Sequence, residues 1–331
     1  MRIGITLGDI GGIGPQIVLK ALSDIKIYKL AKYIVIGSYK ALLFWQDFLN
    51  IKTKIKKLNS IDESYDDKSI NILDLGIEVD EIIPGVTTPF YGRLSFIAIK
   101  KATELALEDK ISAIVTCPIS KKSLADAGFE LTAHTEILQN LTNSKEVAMM
   151  FYTPLFKVTL LTIHIPLKDV NKYITKENIL SKLRLTEEFL KQRFKIARPK
   201  IAICGVNPHA GESGTIGEEE LKYIIPAIEE AKKELGIEVS GPYPSDTLFS
   251  QVINKEKEFD AILAMYHDQA LIPTKLYIKQ AVNITLGLPI LRTSPAHGTA
   301  FDIAESGKAY PDSLKTAIRL ATKLSKVTNK F

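Results

Sequence analysis

Five histidines, His134, His164, His209, His267 and His297, fall at the ends of expected strands or in the loops that follow them. Ligands of open α/β sheets bind beyond the carboxyl ends of the strands. His164 follows an expected strand at 158–162, His209 one at 201–204 and His267 one at 261–265, so the three are placed to converge on one crevice. Three imidazoles there would hold a divalent cation and leave a position open for substrate. The same placement also suits three separate hydrogen-bonded histidines at a surface cleft, because gaps of 45 and 58 residues form no motif. Asp268 stands beside His267 as a carboxylate able to orient the imidazole. Asn207-Pro208-His209-Ala210-Gly211-Glu212 reads as a tight polar turn.

Two further segments carry chemistry. Gly8-Asp9-Ile10-Gly11-Gly12-Ile13-Gly14-Pro15-Gln16 follows a strand and opens a helix, with Pro15 suited to the first turn. Amides exposed at such a turn suit a phosphate or a closely approaching cofactor. The segment matches neither GxGxxG nor a Walker A loop, and a purely structural turn is the other reading. The run from Arg292 through Ala304 packs a cation, hydroxyls and a glycine into what reads as one loop before a helix. With Lys275 and Asn283 upstream, Arg292 makes a set able to grip a phosphate or carboxylate, Arg in bidentate fashion.

The elements that must position these residues alternate between short β-branched runs and longer stretches of helical period, the pattern of α/β architecture with mostly parallel strands. Strands are expected at 3–7, 33–36, 70–73, 113–116, 147–151, 158–162, 201–204, 261–265 and 282–285. Amphipathic helices are expected at 94–108, 181–194, 218–235 and 313–324, and residues 49–67, polar and Lys-rich, read as a surface connection.

A length of 331 residues suits two domains or one large one, and 46% hydrophobic with 24% charged residues excludes disordered and low-complexity classes. The longest apolar stretches, 147–156 and 158–167, are broken by Lys157 and fall far short of a bilayer span, so no membrane partner is expected. The first residues do not read as a signal peptide, and Cys117 and Cys204 form no disulfide framework; a cytoplasmic location follows as the expectation. The net charge of +5 suits an anionic small substrate, while no basic run is interleaved with aromatics as nucleic-acid binding would require.

Taken in order, GDIGGIGPQ (8–16), TCPISK (116–121), AHTE (133–136), TIHIPL (162–167), NPHAGE (207–212), PSDTLF (244–249), YHDQ (266–269), VNITLGLP (282–289) and the segment 292–304 resemble the 4-hydroxythreonine-4-phosphate dehydrogenase family of pyridoxal 5′-phosphate biosynthesis over nearly the whole chain. The resemblance implies a two-domain fold like that of isocitrate and isopropylmalate dehydrogenases, with the active site in the interdomain cleft. The expected division is 1–125 with 275–331 as one domain, and 126–274 as another that carries metal ligands and dimer contacts. It further implies that His164, His209 and His267 bind a divalent metal (Zn, Mg or Co) shared across a homodimer. His134, Thr135, Lys275, Asn283 and Arg292 would contact a small phosphorylated hydroxy-amino acid, and NAD or NADP would be the oxidant. Gly12, Gly14, His297, Gly298 and Thr299 are the expected cofactor-binding residues, the last three in a loop like the adenosine-binding loop of the decarboxylating dehydrogenases. Asp246, Asp268 and Lys121 are candidates for the group that takes the hydroxyl proton. This chain departs from the family pattern at Ile10-Gly11, Gln16 and Ala133. Two rival functions are a dehydrogenase of 4-phosphothreonate- or 4-phosphoerythronate-type sugar acids and a non-catalytic metal- or anion-binding protein.

Overall fold

The computed structural model describes residues 1–327, in two compact units: Met1–Lys145 with Leu288–Lys326, and Glu146–Gly287. The first unit holds β1 (Arg2–Thr6), β2 (Lys32–Gly37), β3 (Ile55–Leu58), β4 (Ile70–Asp74), β5 (Ala113–Thr116) and, where the chain returns, β12 (Arg292–Pro295). Their order is β3-β4-β2-β1-β5-β12, with every pair parallel. Such strands are covered on both faces, so they need apolar residues at nearly every position. Ile3, Ile5, Ile34, Val35, Ile36, Ile72, Ile114 and Val115 are accordingly all buried. Thr88 caps the long helix Pro89–Leu107 by accepting from Tyr91 N, and Ala98, Ile99, Ala102 and Leu105 of that helix join Ile34, Ile36, Leu73, Ile114, Leu124 and Leu138 in one core cluster.

The second unit holds β6 (Ala148–Tyr152), β7 (Lys157–Leu160), β8 (Lys200–Cys204), β9 (Glu238–Tyr243), β10 (Ala261–Ala264) and β11 (Val282–Leu286), in the order β11-β6-β7-β10-β8-β9. β6 runs antiparallel to both neighbours and the remaining pairs are parallel. Because β7, β10 and β8 are adjacent and parallel, the chain leaves all three at the same edge of the sheet.

All nine expected strands form within two residues of their expected ends. Three strands were not expected. β3 lies inside 49–67, where Lys56 and Lys57 break the apolar run and the strand pairs on one side only. β9 contains Gly241 and Pro242, which read as turn residues. β12 overturns the reading of Arg292 as a loop residue: Arg292 through Pro295 form a wholly buried strand beside β5 and under the helix Asp312–Ser325, to which Thr293 donates at Ala317 O. The expected helix at 218–235 begins as a π-turn, Glu220–Ile224, before Ile225–Glu234; Pro226 has no N–H for the Lys222 carbonyl. The observed units also move two segments relative to the expected division. Residues 126–145 belong with the first unit, whose core receives Ile137 and Leu138, and 275–287 belong with the second, where β11 pairs with β6. The expected end of the first domain, 328–331, lies outside the described residues.

Candidate active site

In the first unit the site residues meet at the ends of β5 and β12. Arg292 is 2% exposed, and its Nε and Nη2 both donate to Thr116 Oγ1, at 3.0 and 2.8 Å. Burial pulls the guanidinium down to about 9, which leaves it charged at neutral pH. A hydroxyl oxygen that accepts twice keeps its own proton to donate elsewhere. His134 opens the helix His134–Leu141, where Ala133 offers no side-chain cap, so the first-turn amides lack the usual partner. Burial, and next the Arg292 charge, hold His134 well below the usual imidazole range, against an opposing hydrogen bond to the Cys117 main chain. The ring is therefore neutral, donating at Cys117, while its Nε2 is shut off from solvent and carries no hydrogen bond. A buried cation, an uncapped helix start and an unprotonated acceptor together suit an anionic substrate that also carries a hydroxyl donor. Thr135, on the same first turn, is buried, whereas Lys121 is exposed at the start of the helix Lys121–Asp126.

The glycine turn after β1 is built differently from its expectation. Gly8 has φ +70°, and a Cβ there would stand 2.2 Å from Pro118 O; one on Gly14 would stand 2.1 Å from Leu7 O. The turn amides are spent inside the chain: Gly11 N on Asp9 Oδ1, Gly12 N on Asp9 O and Ile13 N on Thr299 O. Those three do not point outward for a phosphate, and the glycines serve close packing. Burial pushes the Asp9 carboxyl up to about 6, although Ser123 Oγ and Gly11 N both donate to it. Thr299 lies against Gly12, a Cβ on Gly298 would meet nothing within 4 Å, and His297 Nδ1 lies 3.0 Å from Gly298 O.

In the second unit His164 and His267 approach with ring centroids 5.9 Å apart. Two imidazoles bound to one ion at the usual zinc distance place their centroids roughly 5–6 Å apart, so this pair fits a shared cation. They line a pocket of about 320 Å³ with Thr162, Ile163, Tyr266 and Asp268. Asp268 Oδ1 stands 2.6 Å from His267 Nδ1, which fixes the ring and leaves Nε2 for a ligand. Among the described residues, no three His, Cys, Asp or Glu side chains of one chain come together as a metal site. His209 sits on an exposed loop in which His209, Ala210, Gly211, Glu212 and Ser213 all have positive φ. Each non-glycine residue in that conformation costs roughly 1–2 kcal/mol, so the turn stands only because its surroundings impose it.

Buried side chains that sequence reasoning passed over join the three histidine loops. Thr162 Oγ1 donates to Met265 O at 2.7 Å; Met265 N donates to Gln269 Oε1 at 2.6 Å; Gln269 Nε2 donates to Gly205 O at 2.8 Å. Gln269 belongs to YHDQ and Thr162 to TIHIPL, yet neither had a stated role. Asp246 is exposed at the first turn of the helix Ser245–Ile253. Lys275 ends the helix His267–Lys275, pulled below its usual value by partial burial, and Asn283 on β11 holds a buried Oδ1 without a hydrogen bond.

A family model described as "Pyridoxal phosphate biosynthetic protein PdxA" matches residues 29–321. A 4-hydroxythreonine-4-phosphate dehydrogenase of Sulfurihydrogenibium sp. is 42% identical, covering 99% of this chain and 99% of that protein. A D-threonate 4-phosphate dehydrogenase of Pectobacterium atrosepticum is 39% identical, covering 98% and 99%. Among solved structures, a 4-hydroxythreonine-4-phosphate dehydrogenase of Klebsiella pneumoniae superposes with a TM-score of 0.88 at 38% identity, covering 98% and 99%. With the strands, the histidine loops and the buried Arg292 in place, this chain belongs to the PdxA family.

Proposed function

We propose that this chain is an NAD(P)-dependent dehydrogenase that oxidises the 3-hydroxyl of 4-phosphohydroxy-L-threonine and releases the carboxylate as carbon dioxide, giving 3-amino-2-oxopropyl phosphate and NAD(P)H. The observation that carries this reading is the buried Arg292 guanidinium beside the neutral His134 with its bare Nε2. Arg292 holds an anionic group of the substrate, with Lys275 as a second cation and Thr135 and Asn283 as polar contacts. His134 Nε2 accepts a hydrogen bond from a substrate O–H. His164, His209 and His267 hold the divalent ion, and Asp268 keeps His267 in the tautomer that ligates. Gly12, His297, Gly298 and Thr299 line the cofactor, an assignment supported by the contact of Thr299 with Gly12 and the open space at Gly298, while Gly14, packed on Leu7 O, shapes the turn from behind. When bound, the ion supplies Lewis acidity at the substrate oxygen and the nicotinamide accepts the hydride. Of the three candidates for the proton, Asp246, Asp268 and Lys121, the bond to His267 commits the Asp268 carboxylate to orientation, which leaves Asp246 and Lys121.

The active unit in this reading is a homodimer whose partner completes the metal site. Leu276 (76% exposed), Leu167 (74%) and Ile272 (68%) give the second unit apolar side chains that such a partner would cover. A second reading, oxidation of D-threonate 4-phosphate, is favoured by the 39% identity to the Pectobacterium protein. Steady-state rates with both substrates, each with NAD and with NADP on metal-loaded protein, test the proposal. Higher kcat/KM for the amino substrate supports the first reading, higher kcat/KM for the hydroxy acid supports the second, and no NAD(P) reduction with either refutes both in favour of a binding protein.

A further inference from the structure

The left-handed run at 209–213 needs something to hold it, and the structure supplies one buried carboxylate. Glu220, 2% exposed, starts the π-turn and faces the base of the loop. Its Oε1 accepts from Val206 N and Asn207 N, both at 2.8 Å, and its Oε2 accepts from Asn207 Nδ2 at 2.9 Å. Glycines make room for it: a Cβ on Gly205 would come within 3.0 Å of Oε1, and one on Gly211 within 2.6 Å of Oε2. Asn207 is held a second time by Glu219 Oε2 at 2.7 Å, and Glu219 Oε1 also accepts from Asn171 Nδ2 at 3.0 Å. Gly205 O in turn takes the Gln269 amide from the helix that His267 opens. The carboxylate therefore grips the two residues before Pro208-His209 and touches the glycine two residues after His209.

We propose that Glu220 is a positioning residue: it holds the His209 loop in its left-handed turn and so sets the imidazole for the cation. The proposal rests on the reading of His209 as a metal ligand, and it concerns the loop and not the chemistry. Glu220→Gln keeps size and burial but replaces an acceptor with a donor, so at least one of Val206 N, Asn207 N and Asn207 Nδ2 meets an N–H.

The test uses the full chain with Co²⁺ as probe, read by visible absorption, beside hydrogen exchange of 205–214 and thermal unfolding. Glu220→Gln should weaken Co²⁺ binding about tenfold or more, alter the Co²⁺ spectrum and speed exchange in 205–214. A merely structural role would lower the melting temperature and leave the cobalt spectrum and affinity alone. Should Glu220→Gln fail to fold, Glu220→Asp decides the matter, because it keeps the charge but draws the carboxylate back from Val206 N and Asn207 N. Wild-type affinity and spectrum in the folded variant would overturn the proposal. His209→Ala separates this from failure of the metal reading. If His209→Ala binds Co²⁺ as the wild type does, the ligand assignment falls and exchange alone judges Glu220: faster exchange in Glu220→Gln supports its hold on the loop, and unchanged exchange overturns it.

Discussion

The two units hold their candidate residues in opposite ways. In the first unit the working groups are buried and the fold itself orients them: Arg292 forks onto Thr116, His134 leans on Cys117, and Asp9 ties the glycine turn to Ser123. In the second, His164 and His209 are exposed, and among the described residues the His164–His267 pair gains no third ligand from the same chain. Donors fixed in a low-dielectric pocket act on charge without reorganising. An exposed imidazole set lacks that advantage until a cation, and in the proposed reading a second chain, locks it. The first unit thus presents a buried guanidinium beside a neutral imidazole, and the second a histidine pair and a histidine loop braced from behind by Thr162, Gln269 and Glu220.

The largest expected effect breaks the second unit's half. His164→Ala and His267→Ala should each lose bound metal and lower turnover by about a thousandfold or more, with unfolding of the first unit unchanged. Metal analysis beside steady-state rates checks this, and full metal content in both variants would remove the site. Smaller effects should follow in the first unit. Arg292→Lys keeps a charge and loses the fork, so kcat/KM should fall by roughly a hundredfold while Co²⁺ affinity stays at the wild-type value. Thr116→Val removes the oxygen that accepts twice from Arg292 and should cost roughly tenfold, again without touching the metal. Coupling of either variant to metal affinity would contradict the separation between the halves.

A separate effect, on stability and not on turnover, concerns pH. Asp9 has its folded pKa raised to about 6 from an ordinary 3.8, so the folded state binds more protons across that window, and stability falls as pH rises from 3.8 to 6. Above the window the full cost persists, at most about 3 kcal/mol. Asp9→Asn should flatten this dependence, seen as a smaller difference in urea midpoint between pH 4 and pH 7 than the wild type shows. An equal difference in both proteins would remove Asp9 as the cause.

Much of this was legible in sequence for a physical reason. Strands buried on both faces write themselves as continuous β-branched runs, and strand ends in an α/β sheet mark where ligands go, so the nine strands and three histidine loops stood out. Arg292 did not, because a strand of Arg, Thr, Ser and Pro looks like a loop until Thr116 and the helix Asp312–Ser325 cover it. Glu220 was hidden in Glu218-Glu219-Glu220, which reads as a solvated helix face; only the tertiary approach of Val206 and Asn207 reveals the third carboxylate as buried. The glycine turn advertised amides, and the structure spends three of them on Asp9 and Thr299.

Hydrogen exchange of the full chain, compared between Co²⁺-loaded and chelator-stripped protein, tests the contrast between the two units most directly. Stripping the ion should speed exchange in 162–168, 205–214 and 265–270 and leave 114–118, 134–138 and 290–295 as they were. Equal exchange in both preparations, or a change concentrated around Arg292 and His134, would contradict that contrast.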